Sequence, residues 1–223
     1  MVLRILAVAA AVTLSAQDQQ IILEKEAALG AMLARDFNQQ ATTLDSPAFN
    51  KYMERVGSKL SAQLGHNQPE YTFGLVADKS VGRNPRHEAV SFPGGYIFFP
   101  AGLVSMAADE TEFVGRIAHA MAHTAVLRQA RVRNPRDPNQ ATIPLIYMGG
   151  KFGVDGSDEL IPMNARTALH EREVAAEKLT VQITSGYSAG TASSEDEFLN
   201  MQAEVRSIVA ARAPRPPSLL NPH

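Results

Sequence analysis

Periodic apolar positions predict a chain made mostly of helices. The clearest helix is predicted between Ser46, a natural N-cap followed by Pro47, and Gly65, a natural stop. Its apolar residues recur every four positions: Tyr52, Val56, Leu60 and Leu64. This spacing places them on one face, so the helix is predicted to pack against a core.

Alternating and continuous apolar runs predict strands in the middle of the chain. Residues 71–76 form one predicted strand. Residues 89–92 and 96–99 are predicted to pair as a hairpin around Pro93-Gly94-Gly95, because Pro followed by Gly favours a type II turn.

Further helices are predicted on both sides of the hairpin. They cover residues 17–36, residues 101–107, a segment beginning at the acidic residues 109–112, and residues 164–185. Prolines and glycines predict a loop over residues 134–158, and four prolines predict disorder in residues 213–223. The predicted fold class is α+β, with one mostly helical domain (residues 17–212) and a small antiparallel sheet.

Composition narrows the classes of function. At 223 residues, 45% hydrophobic and 20% charged, the chain has the make-up of one globular domain with a sizeable core. Its net charge of −2 gives no indication of a nucleic-acid partner. There is no cysteine, which excludes disulfides and thiolate metal sites, so a metal would need histidine and carboxylate ligands.

The N-terminus has the pattern of an export signal. Arg4 precedes an apolar run from Ile5 to Leu14, and Ser15 or Ala16 is a suitable residue before a cleavage point. The run is too short for a stable membrane span. We therefore expect residues 1–16 to be a signal peptide and the mature protein to be periplasmic or secreted. The alternative is an uncleaved helix associated with a membrane.

His119-Ala120-Met121-Ala122-His123 is the strongest candidate for chemistry. Two histidines four residues apart on a helix lie on one face and can share a metal ion. In the zinc-peptidase motif H-E-x-x-H the residue after the first histidine is a general-base Glu, and here it is Ala120. With six histidines in the chain, such a pair could also arise by accident.

A third ligand is predicted on the later helix. Glu173 shares a helical face with His170 and Glu177, at spacings of three and four residues. Taken alone, such a row of titratable residues is more often a solvated face than a site.

Several motifs in a fixed order resemble the HtpX and CAAX-prenyl-protease family of zinc metallopeptidases, the forty-eighth metallopeptidase family, of the gluzincin type. They are Pro93-Gly94-Gly95-Tyr96-Ile97, Gly102-Leu103, the His119–His123 motif, Arg172-Glu173-Val174-Ala175-Ala176-Glu177 and Gly186-Tyr187. The resemblance runs from about Glu24 to Tyr187 and is greatest to the soluble, exported bacterial branch of the family.

This resemblance implies a zincin-like domain that binds one Zn²⁺ per chain through His119, His123 and Glu173. Glu177 takes the place of an Asp that orients a ligand histidine, and Ala120 takes the place of the catalytic Glu. The expected partner is a polypeptide, held as an added strand along Val90-Ser91-Phe92 or along Tyr96–Phe98. Alternatively, the hairpin only covers the core.

Three functions remain open from the sequence. The first is a peptide-binding or regulatory pseudoenzyme that keeps zinc but has weak or no hydrolysis. The second is an active metalloendopeptidase in which another carboxylate (Glu88, Glu112 or Glu171) is the base. The third is a metal-free structural domain whose histidines pack in the core.

Overall fold

The structure, a computed structural model, describes residues 2–65, 68–78, 88–133, 163–188 and 191–212. Within these ranges the side chains of residues 2–16, 163–169 and 192 are not described. The predicted loop at 134–158 and the predicted disordered tail lie outside the described residues. Across the described ranges, no helix is both long enough and apolar enough to cross a membrane.

Six helices and three strands make up the described chain, and the fold is α+β as predicted. The helices are α1 (Val2–Gln40), α2 (Pro47–Gln63), α3 (Ala101–Met106), α4 (Glu110–Arg133), α5 (Met163–Ser185) and α6 (Ala192–Arg212). The strands are β1 (Thr72–Val76), β2 (Val90–Phe92) and β3 (Tyr96–Pro100). The first helix is continuous through the segment predicted to be a signal peptide, and cleavage of that segment stays a prediction.

The ends of α2 and α4 follow the capping signals of the sequence. The Ser46 hydroxyl accepts a hydrogen bond from the Phe49 N–H (3.2 Å), and Gly65 after the helix has a φ of 82°. At α4, Asp109 accepts from the Glu112 N–H (2.8 Å), while the Glu112 carboxylate accepts from the Ala108 N–H (2.8 Å). The pair of bonds resembles a capping box, except that Glu112 reaches the N–H one residue before the N-cap Asp109, and it marks where the histidine-bearing helix begins.

The sheet differs from the antiparallel sheet that the sequence predicted. Its order is β1-β3-β2, with β2 and β3 antiparallel and β1 parallel to β3. The hairpin prediction is confirmed, but β1 joins the far side of β3, so the sheet is mixed. Gly94, with φ 74° and ψ 9°, has the conformation of the third residue of a type II turn, as the Pro-Gly pair predicted.

Helix α1 packs over the hairpin and buries a second, smaller core. Phe37 of α1 lies 5.5 Å from Phe92 and 4.8 Å from Phe98, measured between ring centroids. Gly30 is needed here because a Cβ would lie 1.8 Å from the Pro93 carbonyl oxygen. The buried Glu26 accepts from the Gly94 N–H at 3.3 Å and lies 3.6 Å from Arg128 of α4. Helix α1 therefore connects the turn to α4, the helix that carries His119 and His123.

Helix α6 is an element that the sequence analysis did not predict. Its buried residues Phe198, Met201, Gln202 and Val205 follow the helical spacing of three and four, so the signal was present. The Gln202 amide donates to the carbonyls of Val104 (3.2 Å) and Ala107 (2.8 Å). Because the last carbonyls of a helix have no partner within it, α6 stabilises the end of α3.

A buried carboxylate fixes the first turn of α4. Glu110 accepts hydrogen bonds from the hydroxyls of Tyr52 (3.3 Å), Tyr187 (3.3 Å) and Ser194 (2.7 Å). These donors belong to α2, to the residues after α5 and to α6. Four segments therefore meet at one group, which holds α4 in place relative to α5.

Candidate metal centre

Two histidines of α4 lie side by side. The Nε2 atoms of His119 and His123 are 3.0 Å apart, as expected for residues one helical turn apart whose side chains point the same way. The His123 side chain is 10% exposed and the His119 side chain 38% exposed. The pair therefore sits where the core meets the surface, open on the His119 side.

Glu173 of α5 completes the cluster. Its carboxylate oxygens lie 3.4 Å from His119 Nε2 and 3.5 Å from His123 Nε2, and the three ligand atoms lie within 4.8 Å of one another. In a tetrahedral zinc site with bonds of about 2.0–2.2 Å, neighbouring ligand atoms are about 3.3–3.6 Å apart. The two separations from Glu173 match that spacing and the 3.0 Å between the histidines is slightly shorter, so the arrangement is compatible with a zinc-sized ion.

Burial keeps His123 neutral. Desolvation, with a smaller contribution from the neighbouring His119, lowers the pKa of His123 to about 4. A neutral imidazole presents a nitrogen lone pair, which is the form that binds a metal. At neutral pH the His123 side chain is therefore already in the neutral form that can act as a ligand.

Thr180 of α5 orients His119. Its hydroxyl donates to the Ala176 carbonyl (2.7 Å) and lies 3.4 Å from His119 Nδ1. Because its proton is used within the helix, the oxygen is free to accept from Nδ1–H. This pattern assigns the Nδ1–H tautomer to His119 and leaves the lone pair on Nε2, which faces His123 and Glu173.

Glu177 and His170 lie apart from this contact. Both are exposed, and within the described chain neither makes a hydrogen bond or ion pair with the two histidines. On the described part of α5, Glu173 and Thr180 contact His119, and Ala176 and Ile183 are buried, at spacings of three and four residues. Thr180, to which the sequence analysis assigned no role, contacts His119. The orienting role of Glu177 stays a prediction.

Ala120 lies next to the outermost strand of the sheet. Its side chain is 5% exposed, and its carbonyl accepts from the Ser91 hydroxyl (3.4 Å). The side chains of Val90 and Phe92 are buried under α1, at 6% and 2% exposure. A polypeptide could therefore pair only with the main chain of β2, along the edge with which no described strand pairs.

The sheet order contradicts the prediction that a polypeptide could add along Tyr96–Phe98. These residues belong to β3, the central strand, and Tyr96 is in register with both Thr72 and Phe92. A central strand has no free main-chain groups with which to accept another strand. If a polypeptide adds to the hairpin, it adds along Val90–Phe92.

None of the three alternative bases joins the cluster among the described residues. Glu112 lies seven residues before His119, about 10 Å along the helix, and is bonded to Arg116. The Ala108 N–H and then Arg116 lower the pKa of the Glu112 carboxyl, which makes it a weaker base. Glu171 is exposed and lies about 200° around α5 from Glu173. Glu88 is exposed just before β2.

Taken together, fold and site define a mostly helical α+β domain with a His/His/Glu cluster of metal-binding geometry. The chain is 25% identical over 111 residues to a putative β-barrel assembly-enhancing protease of Vibrio cholerae serotype O1 (strain ATCC 39315 / El Tor Inaba N16961), which covers 50% of this chain. It is 24% identical over 127 residues to the β-barrel assembly-enhancing protease of Yersinia pestis, which covers 57% of this chain. No family model matches the chain.

These similarities extend over part of each relative. The matched segments span 22% of the Vibrio protein and 24% of the Yersinia protein. The chain is therefore similar to proteins named as proteases over about half of its own length and under a quarter of theirs.

Proposed function

We propose that this chain is an exported, zinc-binding member of the metallopeptidase family that its motifs resemble. It holds one Zn²⁺ through His119, His123 and Glu173 and binds polypeptide beside that site, with weak or absent hydrolysis. The observation that carries the proposal is the convergence of these three side chains, from two helices, at zinc-like separations. The similarity to proteins named as proteases supports the same class.

The reactivity of such a site depends on the side chains that hold the zinc ion and on the presence of a general base. A bound zinc polarises a peptide carbonyl and lowers the pKa of a coordinated water to about 7. In this chain Thr180 orients His119, burial keeps His123 neutral, and Glu173 supplies negative charge. A general base contributes about a hundredfold to ten-thousandfold, and the methyl group of Ala120 cannot accept a proton. Binding therefore persists while proton transfer is impaired.

The edge of β2 is the proposed polypeptide site. Ser91 donates to the Ala120 carbonyl, so this strand runs beside the histidine-bearing turn of α4. A polypeptide paired with the main chain of Val90–Phe92 would pass next to the metal ligands. Main-chain pairing is tolerant of sequence, and unfolded or extended segments are therefore the expected ligands.

Export is the remaining part of the proposal. Residues 1–16 act as a signal peptide that is removed, and the domain of residues 17–212 works in the periplasm or outside the cell. Intact-mass analysis of the protein recovered after expression in a bacterium tests this point. A mass that retains residues 1–16 would contradict it.

Zinc content tests the site itself. Elemental analysis of the purified protein is expected to find about one zinc per chain, as at a mononuclear site with three protein ligands. The double variant His119→Ala/His123→Ala is expected to contain none while keeping its helical circular dichroism. Absence of zinc from the wild-type protein, after incubation with zinc and removal of the excess, would refute the proposal and leave a metal-free structural domain.

Restoring the base tests the assignment of Ala120. Ala120→Glu is expected to raise the hydrolysis of an unfolded protein by at least about a hundredfold. Ala120→Gln is the matched control, because it has the same size and cannot take a proton. Wild-type hydrolysis equal to that of Ala120→Glu, with both dependent on zinc, would contradict impaired hydrolysis and favour another carboxylate as the base.

A further inference from the structure

A cleft separate from the candidate metal centre lies on the α2 side of the sheet. It has a volume of about 590 Å³ and runs between α2 and the chain that leads into β1. Its lining combines small, polar, acidic and aromatic residues: Asn50, Met53, Glu54, Gly57, Ser58, Ser61, Pro69, Glu70, Tyr71, Thr72 and Phe73. The metal ligands and the edge of β2 are not part of it.

One wall of this cleft is an open strand edge. Strand β1 is the outer strand on this side, and the segment before α2 covers only its C-terminal half. There the Leu75 carbonyl accepts from the Leu44 N–H (2.9 Å), and the Ala77 N–H donates to the Thr42 carbonyl (2.9 Å). Main-chain groups alternate in direction along a strand, so Phe73 turns its N–H and C=O to the same outer side. Among the described residues, nothing bonds to them on that side.

The cleft is also negatively charged. Glu54 on α2 and Glu70 before β1 are both exposed, and neither makes an ion pair or hydrogen bond within the described part of the chain. Among the described residues, the lining contains no Lys or Arg. A ligand that brings positive charge would therefore meet two carboxylates that no described cation neutralises.

Aromatic rings form the floor of the cleft. The rings of Tyr71 and Phe73 stack with centroids 6.3 Å apart and an interplanar angle of 10°. Gly57 makes room for this floor, because a Cβ there would lie 2.3 Å from Cε2 of Phe73. The cleft thus joins the main-chain donor and acceptor of Phe73 to an apolar floor and acidic sides, which are features that suit an extended peptide.

We propose that this cleft is a second polypeptide-docking site, separate from the metal centre, which takes an extended segment carrying Lys or Arg. The segment pairs with the free main chain of Phe73, places apolar side chains over the Tyr71–Phe73 floor, and directs its cations to Glu54 and Glu70. The β-strand pairing supplies affinity, and the two carboxylates select the charge. This proposal does not depend on zinc or on hydrolysis.

Peptide binding tests the proposal directly. The probe is a short fluorescent peptide that alternates Lys and Val, compared with one that alternates Glu and Val. Fluorescence anisotropy is expected to show binding of the Lys peptide alone. Glu54→Gln/Glu70→Gln is expected to weaken that binding about two- to thirtyfold, the range for two exposed ion pairs. Asp36→Asn/Asp196→Asn removes the same charge from exposed residues outside the cleft and is expected to change nothing.

Amide hydrogen exchange identifies the edge that is used. Bound Lys peptide is expected to slow exchange at the Phe73 amide and to leave Val90–Phe92 unchanged. Protection at Val90–Phe92 instead would overturn the proposal, because the peptide would then occupy the edge beside the metal centre. So would equal weakening by both pairs of substitutions, or a dimer of the chain in which the Phe73 amide is already protected.

Discussion

Replacing Thr180 by Val tests how the structure prepares His119 for a metal. Valine has the same shape as threonine and removes only the hydroxyl. Within α5 the loss is small, because the hydroxyl bond to the Ala176 carbonyl supplements the helical one. At His119 the Nδ1–H loses its acceptor (3.4 Å). The substitution is therefore expected to change the orientation and tautomer of the candidate ligand His119 rather than the packing of the core.

The size of the effect follows from the geometry. Removing the partner of a metal-bound histidine costs about ten- to a hundredfold in metal affinity, or about 1.4–2.7 kcal/mol. At 3.4 Å this contact is long for an N–H···O hydrogen bond. The His119 side chain is 38% exposed, so water can replace the lost acceptor. Both facts place the expected loss at the lower end, about tenfold.

Competition against a chromogenic zinc chelator measures the affinity, and urea denaturation of the apoprotein measures the free energy of unfolding. Thr184→Val is the matched control, because its hydroxyl makes the same kind of bond within α5 (2.9 Å, to the Thr180 carbonyl) and touches neither histidine. Thr180→Ser keeps the hydroxyl and is expected to retain the affinity. Equal zinc affinity in Thr180→Val and the wild type, or an equal loss in Thr184→Val, would refute the reasoning.

Two further predictions concern the contacts that hold the helices around the site, both measured as the free energy of unfolding in urea. Gln202→Leu is expected to destabilise the protein by about 2–4 kcal/mol, because two buried carbonyls at the end of α3 lose their donor. Arg206→Ala removes an exposed bond to the same helix and is expected to cost less than about 1 kcal/mol. Similar costs for the two substitutions would contradict this explanation. Ser46→Ala is expected to cost about 1–2 kcal/mol, because the α2 cap on the Phe49 N–H and the hydroxyl bond to the Glu204 carboxylate are both lost. Ser46→Thr keeps the hydroxyl and is expected to retain most of the stability, and an equal cost for both substitutions would contradict this explanation.

The sequence predicted those elements whose signals are local. Ser46 and Gly65 mark the ends of α2 through hydrogen bonding and backbone conformation within a few residues. The turn at Gly94 likewise depends on its own φ and ψ. The side of β3 on which β1 lies depends instead on how the helices pack over the sheet, which no pattern within β1 records. The antiparallel prediction was wrong for that reason.

Helix α6 was missed although its periodicity is present. Its buried positions include Gln202, a polar residue that interrupts the apolar pattern. The burial of Gln202 makes sense only once the carbonyls at the end of α3 are known to face it. The burial of this polar residue is therefore explained by a contact with a segment distant in sequence, and not by the apolar pattern of α6 itself.

At the candidate metal site, too, the sequence pattern does not show which residues of a helix contact another helix. On a helix that advances about 100° per residue, Glu177 lies about 40° to one side of Glu173 and Thr180 about 20° to the other. Both residues fit a spacing rule, so sequence alone did not separate them. Ala176 and Ile183 are buried on the Thr180 side of α5. The Thr180 hydroxyl lies 3.4 Å from His119 Nδ1 on that side, and Glu177 is exposed. Helix spacing in the sequence indicates Glu173 as a candidate ligand, whereas the contact between Thr180 and His119 depends on the rotation of the whole helix α5 about its axis.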